Sequence, residues 1–88
     1  MAKRGNPPPR FPEIAIQAKI RGDVLVQFVI DTSGAPDFST VKVLRANYQD
    51  FVQEVVKVLP QHRFEPGTID GCRVKMWVQL PFDFDLRD

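Results

Sequence analysis

Residues Arg73–Leu86 read RVKMWVQLPFDFDL, and their apolar members fall on every second position: Val74, Met76, Val78, Leu80, Phe82, Phe84 and Leu86. Arg73, Lys75, Gln79, Asp83 and Asp85 alternate with them, joined by Trp77 and Pro81. A period of two is the pattern of a strand with one buried face. Proline cannot donate to a central ladder and is confined to edges, strand starts and bulges, so Pro81 puts this strand at the edge of its sheet. An edge carries a row of backbone groups that another chain can pair with. The sequence therefore predicts that the chain ends in a docking surface.

Upstream, Asp23–Asp31 (DVLVQFVID) reads as a first strand with Val24, Val26, Phe28 and Ile30 on one face. Leu25 and Val29 make its other face fairly apolar as well, which suits a central strand. Thr32–Pro36 contains Gly34 and predicts a hairpin connection. Phe38–Arg45 supplies a second strand with Val41 and Val43 as core residues; Leu44 breaks the alternation, so a bulge or the strand's end falls there. Asn47 suits the N-cap of a helix from Tyr48 to about Leu59. Phe51, Val52, Val55, Val56 and Leu59 form its apolar stripe, and Pro60 ends it or sits just beyond. Phe64 is expected to plug the core from an irregular link, and Gly71 to close a turn before the last strand.

A short first helix is predicted from Pro12, a favoured first helical residue, with Glu13 at the positive end of the dipole. Ile14, Ala15, Ala18 and Ile20 give it a narrow stripe, and Gly22 is expected to stop it after Arg21. The chain order is α-β-β-α-β. Two helices on one face of a three-stranded antiparallel sheet make an α+β sandwich. The simplest pairing places the first strand in the middle, the second on one side and the last on the other.

The chain has 88 residues, 43% of them hydrophobic and 26% charged, with a net charge of +1. This fits one globular domain, 11–88, preceded by a Pro-rich linker end at 1–10 where Pro7, Pro8 and Pro9 favour extended backbone. The near-neutral balance argues against nucleic acid as a partner, although Trp77 with Arg73 and Lys75 would be the residues to stack on bases and hold phosphates. Lys3, Arg4 and Arg10 crowd one end of the chain and Asp83, Asp85 and Asp88 the other. Cys72 is the single cysteine, so no intrachain disulfide forms. No stretch has the apolar length of a membrane helix, and residues 1–10 lack the apolar run of a signal peptide. By composition the chain is a soluble cytoplasmic protein or a domain cut from something larger.

Catalytic chemistry finds few candidates. His62 is the single histidine and reads as a surface or capping group; no second histidine supports a zinc site. Cys72 lacks a histidine partner near it in sequence. Asp83 and Asp85 read as a solvated acidic edge, and GTIDG at 67–71 lacks the spacing and lysine of a phosphate loop. The expectation is a non-enzyme without cofactor or metal.

In order along the chain, the residues resemble the C-terminal domain of the TonB family of energy transducers. Phe11-Pro12 stands where that family has an aromatic-Pro pair, Ile20-Arg21-Gly22 where it has a helix-ending glycine, and Asp31 to Gly34 where it has a Gly-closed turn. Arg63-Phe64-Glu65-Pro66-Gly67 corresponds to its Arg-aromatic-x-Pro signature, and Val74–Phe84 to its last strand. The resemblance covers roughly residues 10–86. It departs just before the aromatic-Pro pair, where better-known members carry glutamines that touch the transporter and this chain has Pro9-Arg10.

The resemblance implies a periplasmic domain of an inner-membrane-anchored protein, driven by an ExbB/ExbD-like motor. Such a domain grips the TonB-box segment of outer-membrane transporters by β-augmentation on the last strand. The residues it points to here are Arg73, Val74, Lys75, Met76, Trp77, Val78, Gln79 and Leu80, with Arg10 as a secondary contact. On this reading a proline at Val78 abolishes box binding, and Pro81 bounds the paired segment. The alternatives are a TolA-like envelope interaction domain and a module that self-associates into a homodimer through the same edge.

Overall fold

Strand β1 (Gly22–Ile30) is the middle of the molecule in the computed structural model, which describes residues 5–85. Lys3, Arg4, Leu86 and Asp88 lie outside the described residues. Val24, Val26, Phe28 and Ile30 are at most 3% exposed and point into a single core. Their alternation with the less buried Asp23, Leu25 and Gln27 makes this segment a strand rather than a helix.

Two partners flank it antiparallel. The strand β2 (Pro36–Ala46) lies on one side and β5 (Met76–Phe84) on the other, in the order β2-β1-β5. Pairing with β5 runs without a slip from Gly22↔Phe84 to Ile30↔Met76. Pairing with β2 slips twice. Leu25↔Arg45 is followed by Val26↔Val43, leaving Leu44 as the extra residue of a bulge. Gln27↔Lys42 is then followed by Val29↔Asp37, and there the Thr40 side chain replaces the ladder: Val29 N–H donates to Thr40 Oγ1 (2.8 Å), whose hydroxyl donates to Asp37 O (2.6 Å).

Helices α1 (Glu13–Gln17) and α2 (Gln49–Val58) pack on the face that carries Val24, Val26 and Phe28. The expected α+β sandwich and its strand order are therefore what the chain forms. Phe51 of α2 stacks on Phe84 of β5, with ring centroids 4.2 Å apart and planes 3° from parallel. Phe11 meets both rings edge-on at 5.6 and 5.7 Å, and Tyr48 meets Phe51 at 5.2 Å. Stacked and T-shaped contacts of this kind add about 0.5–1.5 kcal/mol each beyond the area they bury.

Several local expectations give way to tertiary contacts. Helix α1 is five residues long; Ala15 is buried, but Ile14 is 64% exposed and Ala18 is exposed too. It ends before Gly22, at Lys19, which adopts φ 56° while its N–H donates to Ile16 O (3.2 Å) and Ile20 N–H donates to Ala15 O (2.8 Å). This bond pair closes a helix through a left-handed residue. Gly22 instead begins β1 against Asn47, whose Cβ would lie 2.8 Å from a side chain there. Asn47 is not a helix cap: its Oδ1 accepts from Asp23 N–H (2.9 Å), and its own N–H donates to Asp23 O (3.3 Å). Tyr48 holds the N-cap position of α2 with no side-chain bond.

Val43, expected in the core, is 43% exposed although it pairs with Val26; Val41 stays partly buried. Val56 is 42% exposed, and Val58 joins Phe51 and Val55 on the buried face of α2. Pro60 sits inside a 3-10 turn, Leu59–Gln61, where a proline near the start sacrifices no needed donor.

His62 departs furthest from its sequence reading. It is 6% exposed, between Phe64 and Phe82, and its Nε2 donates to Pro7 O at 2.7 Å. Its Nδ1 is buried without a hydrogen-bond partner among the described residues. Next to it, Asn6 binds the Arg63 backbone twice: Arg63 N–H donates to Oδ1 (2.7 Å) and Nδ2 donates to Arg63 O (2.9 Å). The Arg63 guanidinium holds the carbonyls of Pro60 (2.8 Å) and His62 (2.7 Å). Residues 6 and 7 are thus strapped to the corner that follows α2.

The connection between β1 and β2 is fixed from two sides. Asp31 accepts Ser33 N–H (2.8 Å), Ser33 Oγ–H (2.6 Å) and Ala35 N–H (3.0 Å). Gly34, at φ 88°, accepts Phe64 N–H at its carbonyl (2.8 Å), and a side chain at Gly34 would run into Phe64 O. Phe64 can plug the core, packing 5.7 Å from Phe28, only because residue 34 lacks a Cβ.

Two expectations follow from this corner. Gly34→Ala adds a left-handed penalty of about 1–2 kcal/mol to a backbone collision, so chemical denaturation should show at least ~2 kcal/mol of lost stability. The Ser33 hydroxyl, with the Ala35 and Ser33 amides, holds the Asp31 carboxyl below its ordinary value of 3.8. A lowered folded-state value means the stabilisation is fully present above the unfolded value and disappears as pH falls through the folded one. The amide resonances of Ser33 and Ala35 should therefore move only in acid below that range, and Asp31→Ala should abolish the movement.

Candidate functional site

Which backbone groups β5 offers outward follows from β1. Val29 N–H reaches Thr40, and Asp23 N–H reaches Asn47, both on the β2 side. Odd-numbered residues of β1 thus direct their amides to β2, and by alternation even-numbered ones direct theirs to β5. In the observed register Val24, Val26, Phe28 and Ile30 face Phe82, Leu80, Val78 and Met76. Those even residues of β5 spend their backbone bonds on β1. The amides and carbonyls of Trp77, Gln79 and Asp83, and the carbonyl of Pro81, point to the open side.

The quoted run is not one strand, as expected, but two. Cys72–Val74 (β4) pairs with Gly67–Ile69 (β3) in a hairpin, and Lys75 separates β4 from β5. The turn residues Asp70 (φ 52°) and Gly71 (φ 80°) are both left-handed, as a two-residue type I′ hairpin requires. In such a hairpin the flanking pair, here Ile69↔Cys72, exchanges backbone bonds. Cys72 and Val74 therefore turn their backbone groups toward β3 and Arg73 turns its own away from it. Even residues bond to β3 on the first strand and to β1 on the second, and Lys75 lies between the two. Trp77 and Gln79 form the outward series of β5, Pro81 is its first member without a donor, and Arg73 and Lys75 precede it along the chain.

The other edge of the sheet is a poorer template. β2 bulges at Leu44 and again opposite Val29, and bulges are a common means of blunting an edge. The ladder of β5 is regular over its whole length. Among the described residues no strand pairs with its outer side.

Side chains split by the same parity. Val78 and Leu80 are half-buried against the core, while Met76 is 44% exposed and lies over Gly67. Val74 is half-buried and Arg73, Lys75 and Gln79 are exposed. Trp77 is 58% exposed and stands opposite Val29, which is only 9% exposed, so the indole shields the second face of the sheet and still offers a surface. Gln79 Nε2 donates to Gln27 Oε1 across the pair at 3.4 Å. Arg10 is not brought to this edge. It lines an open cleft of about 310 Å³ between the helices, with Pro12, Glu13, Ile14, Asp50, Glu54 and Lys57.

The residues that sequence reading missed are those of the β3–β4 hairpin, above all Thr68, Ile69 and Asp70. Their signal was present: Asp-Gly between short runs is the dipeptide of a type I′ turn. Among the described residues no group of His, Cys, Asp or Glu is arranged to hold a metal ion, and no helix is long and apolar enough to cross a membrane.

The family model of the Gram-negative bacterial TonB protein C-terminal matches residues 7–86. The chain belongs to that family. The solution NMR structure of the Pseudomonas aeruginosa TonB C-terminal domain superposes with a TM-score of 0.76 at 31% sequence identity, covering 100% of this chain and 87% of that one. No curated protein sequence matches the chain. The TonB C-terminal fold thus accounts for the sandwich and for the position of the last strand, and the phase of its outer edge is read from this chain's own register.

The phase is measurable without any partner. Amides of Met76, Val78, Leu80 and Phe82 should exchange with deuterium at least tenfold more slowly than those of Trp77 and Gln79, because only the former are bonded to β1. Equal protection of both sets would contradict the register.

Proposed function

We propose that this domain is the partner-gripping end of a TonB-like transducer and that it acts by binding rather than catalysis. On this reading it is the periplasmic domain of an inner-membrane-anchored protein, and an ExbB/ExbD-like motor acts on the parent protein. The domain takes the TonB-box segment of an outer-membrane transporter as an added strand. The observation that carries the reading is the unslipped ladder of β5, whose outward amides at Trp77 and Gln79 stop at Pro81, with Arg73 and Lys75 just before it. Main-chain pairing tolerates varied side chains, so one such edge can serve several transporters. Roughly four to six added bonds, at about 0.5–1.5 kcal/mol net each, give modest affinity once the ordering of a flexible segment is deducted. A grip of that strength can be released after each pull. Val74, Met76, Val78 and Leu80 form the apolar border of the site, while Arg10, on the helical side, would reach only partner chain that continues past the paired strand.

The same edge also admits a second copy of the chain, and sedimentation at high protein concentration measures that competition directly.

The register changes which substitution tests pairing. Val78 turns its amide to β1, so a proline there breaks the fold's own ladder along with any docking. Gln79→Pro removes an outward donor and leaves every β1 bond intact, as Pro81 already does two residues on. It should lower box-peptide affinity by tenfold or more in an NMR titration, with slow exchange at Val78 and Leu80 preserved. Unchanged affinity in that folded variant would overturn strand addition at β5.

A further inference from the structure

The run from Arg73 through β5 to Asp85 carries opposite charge at its two ends. At one end Arg73 and Lys75 are exposed and make no ion pair among the described residues. The middle is neutral: Trp77, Gln79, Pro81. At the other end Asp83 stands directly opposite Asp23 in the β1 pairing. Asp23 takes Arg45 through Nη2 (2.6 Å) and Nε (3.1 Å), and Asp85 lies 3.4 Å from Arg21. The guanidiniums at that end are thus already engaged with carboxylates, and Asp83 adds a further one.

These ends do not cancel each other. Eight residue steps lead from Lys75 to Asp83, about 26 Å at ~3.3 Å per step, while charges in physiological salt are screened beyond about 8 Å. An incoming strand meets two separate local potentials. Side chains directly opposite in a paired strand lie about 4.5–5.5 Å apart, well inside that range. Opposite charges there favour pairing and like charges oppose it.

Taking the strand addition proposed above as its premise, we infer that the edge selects an extended peptide by charge polarity. The peptide's acidic end lies against Arg73 and Lys75, its neutral or basic end lies near Asp83, and apolar residues on its alternate positions lie beside Val74, Met76, Val78 and Leu80. The polarity sets register. A segment of uniform charge would slide along the edge, whereas one with a single acidic end has one best seat. It also rejects strands whose acidic residues would fall beside Asp83.

The test uses two synthetic peptides of alternating valine and threonine with the isotope-labelled domain. One carries two aspartates at one end, two lysines at the other and a nitroxide beyond the aspartates; its neutral twin carries serines and the same nitroxide. The acidic-end peptide should broaden the amides of Arg73 to Lys75 most strongly, whichever direction the strand runs. The Arg73→Glu, Lys75→Glu double variant should weaken that peptide roughly three- to tenfold, the worth of two exposed ion pairs. The neutral twin should change less than twofold, and the difference between the peptides should shrink at high salt. Broadening strongest at Asp83, or equal at both ends, would overturn the polarity while leaving strand addition standing. Shifts confined to other elements, or a dimer of the free domain that leaves residues 73–83 unresponsive to both peptides, would overturn strand addition itself.

Discussion

The unslipped pairing of β1 with β5 is the constraint from which the rest of the molecule takes its phase. Nine consecutive residue pairs leave no freedom in which backbone groups of β5 face inward. A shift of one residue would exchange Val78 and Leu80 with Trp77 and Gln79 and drive the core face into solvent. It would also turn Pro81 inward, where its missing donor would break the ladder. Hydrophobic burial and the proline thus demand the same register. The opposite side of β1 is under no such demand, and there β2 bulges and borrows a threonine side chain.

The aromatic group at the far end of that pairing fixes the helices. Phe84 lies against Phe51, Phe11 closes both rings from the side, and Tyr48 covers Phe51 in turn. α1 has only five residues and would not persist alone. It is held by Ala15 in the core, by the bonds around Lys19 and by Phe11 just before it. Phe51 therefore couples the two helices to the last strand, while the outer edge of that strand stays clear of them.

What could be read in advance was what depends on periodicity. Alternation in Val24–Ile30 and Val74–Phe84, the stripe through Phe51 and Val55, and the exclusion of Pro81 from a central ladder were enough for the sandwich and its strand order. Positions decided by contacts distant in sequence could not be read in the same way. Asn47 has the composition of a helix cap but is claimed by Asp23, twenty-four residues away. His62 resembles a surface residue until Pro7 folds back across it. Val43 and Val56 have core chemistry, yet they are 43% and 42% exposed. The candidate edge was legible as a stretch of residues, but its phase was not: alternation says which side chains are buried and nothing about which amides are already taken. The hairpin before it was legible in Asp70-Gly71 and was masked by the apparent continuity of the alternation through Lys75.

The strap formed by Asn6 and Pro7 has a mechanical meaning. Among the described residues, tension drawn along the chain from the N-terminal side meets the Asn6 bonds to Arg63 and the Pro7 bond to His62 ahead of the sheet. Those bonds lie in succession along the strap, so a pull that lifts it loads them one after another, as in opening a zipper. The sheet, whose ladder bonds would share a load along the strands in parallel, is the stiffer part. The domain thus has a weak link ahead of a strong one: it can yield by a few residues at its entry while the strand that would hold a partner keeps its shape.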